Sequence, residues 1–220
     1  MRSVILCIVL AMCAGCHFPG EADPITPAGW LGQTVPAASP DYDINIGAPR
    51  IQMIVCYGGN YFQHGALRVI TTDRPALLWD PSGTFTERYN VTRSRDIVRG
   101  DSTLDRFWVY RLRECGGRYM QVFEFDTTDA DADRLYDALL AGGENRPDSF
   151  DTTGGAFDCA RLIARFLRQY PTERFTVPEI YFFPHNLGLH LWTQHPTRVY
   201  LYQRGEQPKI LMPSGEPHEE

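Results

Sequence analysis

Three side chains in this sequence are of types that together can move an acyl group: a cysteine, a histidine and an aspartate. The cysteine is Cys159, in GGAFDCARLIARFLRQY, residues 154–170. A polar, glycine-containing run ends at Asp158, and the spacing predicts an amphipathic helix from Cys159 to about Tyr170. Leu162, Ile163, Phe166 and Leu167 recur at helical spacing, with Arg161, Arg165 and Arg168 on the other side. A residue in the first turn sits among backbone N–H groups with no helical acceptor, at the positive end of the helix dipole. An anion is stabilised there, and the thiolate is the nucleophilic form of cysteine. A small hydrophobe closing the top of a helix is the other reading of a lone cysteine in that place. The chemical reading therefore needs a base from elsewhere in the chain.

His64 is the candidate base and Asp80 its orienter. YFQHGALRVIT and ALLWD read as two strands joined by a turn over Thr71–Pro75. A turn centred near residue 72 places His64 opposite roughly residues 79–81, where Asp80 is the polar member. A carboxylate beside an imidazole fixes its tautomer and steadies its charged form. Each residue also has a plainer reading: Asp80 starts a turn in WDPSG, and His64 is a satisfied histidine at a strand start. His185, which with His190 and His195 crowds one segment, is the alternative base. No carboxylate or cysteine completes a familiar metal-ligand spacing around those three, so neither a metal centre nor a cofactor is expected.

The elements that must position these groups fall into two halves. The chain has 220 residues, 43% hydrophobic and 22% charged, enough for one domain with a core. A net charge of −6 offers no basic surface for nucleic acid. In the strand-rich half, residues 50–56 read as a strand ahead of the His64 hairpin. Residues 107–113 and 118–125 read as a second hairpin, and 86–106 as a long polar loop or short helix. In the helical half, residues 127–142 have a Thr cap, acids in the first turn and a Gly-Gly stop. A short helix is expected around Asn186–Thr193 and a last strand over 198–203.

The chain opens with MRSVILCIVLAMCAGC: one Arg, an apolar run of about a dozen residues, then Ala14-Gly15-Cys16. This resembles a bacterial lipoprotein signal peptide, with Cys13 standing where such signals usually have Leu. The resemblance implies that Cys16 becomes the lipidated first residue of the mature protein, held to the membrane by acyl chains. His17 in second place favours the outer membrane, facing the periplasm. A plain secretory signal or a retained anchor is the alternative. Residues 17–46 carry five prolines and read as a tether, with Trp30-Leu31 a candidate for packing back. The domain is then expected over 47–205, followed by a disordered polar tail at 206–220. Export leaves Cys56, Cys115 and Cys159, which fits one disulfide and one free thiol in an oxidising compartment. Cys56 with Cys115 is the natural pair if Cys159 is the nucleophile.

The run YFQHGALRVITTDRPALLWDPSGTF is similar to the segment around the histidine of the Lnb N-terminal periplasmic domain family. Ala66–Val69, the later Asp80, Gly83 and Phe85, and the upstream Cys56-Tyr57-Gly58-Gly59 all stand approximately as that family has them. Downstream, LYDALLA and then Phe157-Asp158-Cys159 look like the family's helix, polar loop and Asn-Cys pair. Gln63 replaces the common Gly, and Asp158 the Asn. The order of His before Cys is also that of the circularly permuted NlpC/P60, or papain-like, thiol enzymes.

The resemblance implies an α+β fold, a small antiparallel sheet carrying His64 and Asp80 and packed on the helix that begins at Cys159. It implies a Cys–His dyad or Cys–His–Asp triad acting on an amide or ester. Water as acceptor would make the protein a hydrolase, and an amine would make it a transacylase. The substrates implied are cell-wall peptide, lipid or lipoprotein. A non-catalytic lipoprotein that keeps the fold as a binding module is the rival expectation, and it expects Cys159 buried or His64 out of its reach.

Overall fold

RIQMIVCY, at Arg50–Tyr57, has apolar side chains at odd and even positions alike, and the strand it forms (β2) is buried on both faces. The computed structural model describes residues 30–34, 48–57, 64–83, 92–99, 119–143, 150–154, 158–177, 184–203 and 209–213. Around β2 lies an antiparallel sheet. β1 is Trp30–Thr34, β3 His64–Ile70, β4 Leu77–Trp79, β5 Thr92–Ser94 and β6 Ile97–Arg99. β7 is Tyr119–Asp126, β8 Arg198–Gln203 and β9 Lys209–Pro213. Their order across the sheet is β1-β9-β8-β7-β2-β3-β4-β6-β5. Three described helices are α1 at Asp129–Gly143, α2 at Cys159–Gln169 and α3 at Pro184–Trp192. The architecture is α+β, as expected.

The helices pack on one face of the sheet. Met53, Val55, Leu67, Trp79 and Phe123 meet Ile163, Phe166, Leu187 and Leu191 in a common apolar core. Period-2 alternation puts odd-numbered residues of β2 and β3 on that face. Trp79 anchors it beside the candidate site. Its ring lies 5.2 Å from Phe166 and 5.8 Å from Phe150, both edge to face, and its indole N–H donates to Thr152 O at 3.0 Å. Trp79→Ala is expected to cost about 3–5 kcal/mol, from lost burial plus an unfilled cavity. A urea denaturation midpoint measures this. The first turn of α1 is capped by Thr128 Oγ1, which accepts from Asp131 N at 3.1 Å. At its end Gly142 is required by close approach, since a Cβ there would lie 2.2 Å from Phe150 O.

The other face carries a buried polar row that the sequence did not signal. Register pairs Arg68 with Gln52, Gln52 with Glu124, and Glu124 with Arg198, across four adjacent strands. Arg68 Nη1 donates to Gln52 Oε1 at 3.1 Å, and Gln52 Nε2 to Glu124 Oε2 at 2.6 Å. Arg198 Nε stands 2.9 Å from Glu124 Oε1. A one-residue slip of any of these strands would turn its polar member onto the apolar face, so the row pins the register.

The strand expected over 107–113 lies outside the described residues, and β7 pairs with β2 and β8. Two expectations are corrected. Within 86–106, expected as loop or short helix, β5 and β6 form a hairpin. The short strands Thr-Arg-Ser and Ile-Val-Arg offer too few apolar residues to register as a pattern. The supposed disordered tail contains β9, which pairs with β8 and β1 and buries Ile210 and Leu211. Within the expected tether, Trp30-Leu31 opens β1, which pairs with β9, where packing back was expected. The signal segment 1–16, with Cys16, lies outside the described residues. No described helix is long and apolar enough to cross a membrane.

Candidate active site

The His64 hairpin forms with Leu67 opposite Trp79 and Val69 opposite Leu77. Extended along the strand, that register brings His64 level with Ser82, one residue past the expected span. Asp80 still reaches it, because the chain leaves β4 in a tight turn. Gly83 N donates to Asp80 O at 3.0 Å, closing Asp80-Pro81-Ser82-Gly83 with Ser82 at φ 65°. The turn aims the carboxylate at the strand start, and His64 Nε2 lies 2.5 Å from Asp80 Oδ1. Asp80 is fully buried, whereas the His64 side chain keeps 12% of its surface.

Gly83 lies directly beneath that carboxylate. A Cβ there would come within 1.7 Å of Asp80 Oδ2. Gly83→Ala is therefore expected to push Asp80 off the imidazole and cost at least about tenfold in rate, since displacing a positioning contact by an ångström is enough. Far-UV circular dichroism should stay unchanged, which separates this from unfolding.

On its other side His64 faces Cys159, near enough for the sulfur to raise the proton affinity of the ring. With Nε2 taken by Asp80, Nδ1 is the ring nitrogen left for the sulfur. Cys159 opens α2 as expected, is a free thiol, and is 3% exposed. Asp158 precedes it without capping the helix through its side chain, which pairs instead with Arg161 at 3.0 Å. The Asp158 side chain therefore makes no claim on the first-turn N–H groups around the sulfur. Behind the site Gly65 packs under Ile163 and Pro184, bringing β3, α2 and α3 together.

The imidazole holds its proton strongly. Burial, the largest single influence, pushes its pKa down. The charge of Asp80 and its hydrogen bond push it up, as do the hydrogen bond and charge of Cys159. These prevail, and the pKa rises from 6.5 to about 10.

The other predicted histidines and Cys56 make contacts of their own. The His185 ring meets Tyr57 edge to face at 6.0 Å, in α3. His190 bonds Thr176 O at 2.9 Å, and His195 sits at positive φ beyond the helix. Among the described residues no group of three or more His, Cys, Asp or Glu could hold a metal ion. Cys56 is disulfide-bonded and sits opposite His64 in the sheet. Its expected partner, Cys115, lies outside the described residues.

Sequence reasoning missed Asp96. It sits at φ 54°, after Arg95 at φ 46°, in the turn joining β5 and β6. Its backbone O accepts from Asp80 N at 2.8 Å. Its Oδ2 accepts from Ser82 N at 3.2 Å and from Gly154 N at 2.7 Å. An Arg-Asp pair in a polar stretch gives no pattern by which to find this.

No protein-family model matches the chain, and no curated protein matches it in sequence. Among solved structures, that of the type VI secretion system effector TseH is similar over 75% of this chain and 98% of its own, with 11% identity and a TM-score of 0.47. A likeness of that degree does not bear on what this chain does.

Proposed function

We propose that this protein is a cysteine-dependent acyl-transfer enzyme of permuted papain-like type, with Cys159 as nucleophile, His64 as base and Asp80 as orienter. The observation that carries the reading is a single imidazole bonded to a buried carboxylate and near enough to the free thiol of Cys159 for the sulfur to raise its proton affinity. His64, which keeps its proton at neutral pH, stands as imidazolium beside the sulfur, and Cys159 Sγ attacks as thiolate on the carbonyl of an amide or ester. The developing oxyanion falls near the start of α2, where the Cys159 backbone N–H can stabilise it. The imidazolium returns its proton to the leaving group, leaving an acyl-enzyme. Water or an amine then takes the acyl group.

The reading extends to location and substrate. The Ala14-Gly15-Cys16 pattern after an apolar run supports processing to a lipidated Cys16 and an envelope location, with membrane contact through lipid. Cell-wall peptide, lipid and lipoprotein are the substrate classes within reach of such an anchor. The mass of the mature N-terminal peptide tests the lipid. An activated ester and a peptide amide, each offered with and without a primary amine, test the chemistry. Release of acid means hydrolysis and an acylated amine means transfer; no turnover beyond that of Cys159→Ala with any of them removes the enzymatic reading.

One observation favours a second reading, a binding module on the same fold: Cys159 is almost wholly buried. On that reading a small electrophile leaves Cys159 unlabelled in the native protein.

A further inference from the structure

Two turns that are far apart in sequence must hold still for the Asp80–His64–Cys159 arrangement to exist. One is Asp80–Gly83, which carries the acid. The other is the approach to α2, where Gly154 lies five residues before Cys159. Both are held by the same carboxylate. Asp96 Oδ2 accepts from Ser82 N at 3.2 Å and from Gly154 N at 2.7 Å, while Asp96 O accepts from Asp80 N at 2.8 Å. The two turns also touch, since a Cβ on Gly154 would lie 2.2 Å from Ser82 Oγ. Asp96 can do this because the β5–β6 turn places Arg95 and Asp96 at positive φ, conformations Asp tolerates and β-branched residues avoid.

We infer that Asp96 is a positioning residue for the reaction. It clamps the orienting aspartate's turn to the nucleophile's loop, and it acts through Asp80 and His64 without touching substrate. The inference rests on the Cys159–His64–Asp80 reading and assigns a role to a hairpin outside it. Both bonds from the side chain go to one oxygen. An amide oxygen accepts two hydrogen bonds as a carboxylate oxygen does, so the role does not require the negative charge.

The test is an NMR titration of the His64 ring in the full chain, with the alkylation rate of Cys159 by iodoacetamide measured on the same samples. Asp80 and Cys159 are the charged or titratable groups described against that ring. Wild type is expected to titrate well above the ordinary histidine value. Asp96→Ala is expected to lower the midpoint by at least about one unit, a tenfold change in proton affinity, and to slow alkylation at neutral pH. Asp96→Asn is expected to restore both. A raised wild-type midpoint that Asp96→Ala leaves unchanged overturns the positioning role and leaves the dyad standing. An ordinary midpoint in wild type overturns both. If Asp96→Ala does not fold, Gly154→Ala decides, because it keeps Asp96 and wedges the two turns apart. A lowered midpoint there supports the clamp, and an unchanged one overturns it.

Discussion

Cys159→Ala is expected to reduce kcat/KM for any ester or amide the protein turns over by at least about 10^4-fold, the scale on which loss of a covalent nucleophile acts. Cys159 is the free thiol among the described residues, and Asp80, at zero exposure, is not open to a substrate. The same change should cost only about 1 kcal/mol of stability, because it removes one atom from a packed site. Steady-state kinetics with a thermal melt on the same preparation separates the two effects. A rate loss that tracks a collapse in stability would point to a structural cysteine instead.

Asp80→Asn should have the next largest effect, and pH exposes it. The folded protein holds the His64 proton up to about 10, while the unfolded chain releases it near 6.5. Between those values the native state binds the extra proton, so stability falls as pH rises. The contribution is complete below pH 6.5 and is gone once pH passes about 10. With Asn at position 80, burial still favours the neutral ring but the charge of Asp80 is lost. The His64 contribution to the slope across that window should then flatten or reverse. Denaturant midpoints taken at intervals from pH 6 to pH 10, wild type against Asp80→Asn, measure the difference. Activity should fall by about 10^2 to 10^4-fold, since the imidazole loses its orienter and its preference for the charged form.

Much of this site could be read from residue order, for definite physical reasons. The α2 helix announces itself through Leu162, Ile163, Phe166 and Leu167, a stripe that a helix must bury. The β3–β4 hairpin was legible because its turn is short and both strands are apolar, so the distance from His64 to Asp80 was bounded to within a residue. What escaped notice is stabilised by partners remote in sequence. β9 looks like part of a polar tail until β8 and β1 flank it. The Arg68–Gln52–Glu124–Arg198 row exists only once four strands align, and each member alone looks like a solvent-facing residue. β7 pairs with β2 and β8, both remote from it in sequence. Asp96 belongs with these, since its role comes from Ser82 and Gly154 and not from its neighbours in the chain.

The central claim is covalent, and the most direct measurement is the mass of the protein caught in mid-reaction. The full chain is mixed with an activated acyl ester, quenched in acid within the first turnover and digested for peptide mapping. The account predicts one acyl group on the peptide containing Cys159, absent from Cys159→Ala and formed much more slowly in His64→Ala. An acyl group on any other residue, or none while product still forms, would contradict it.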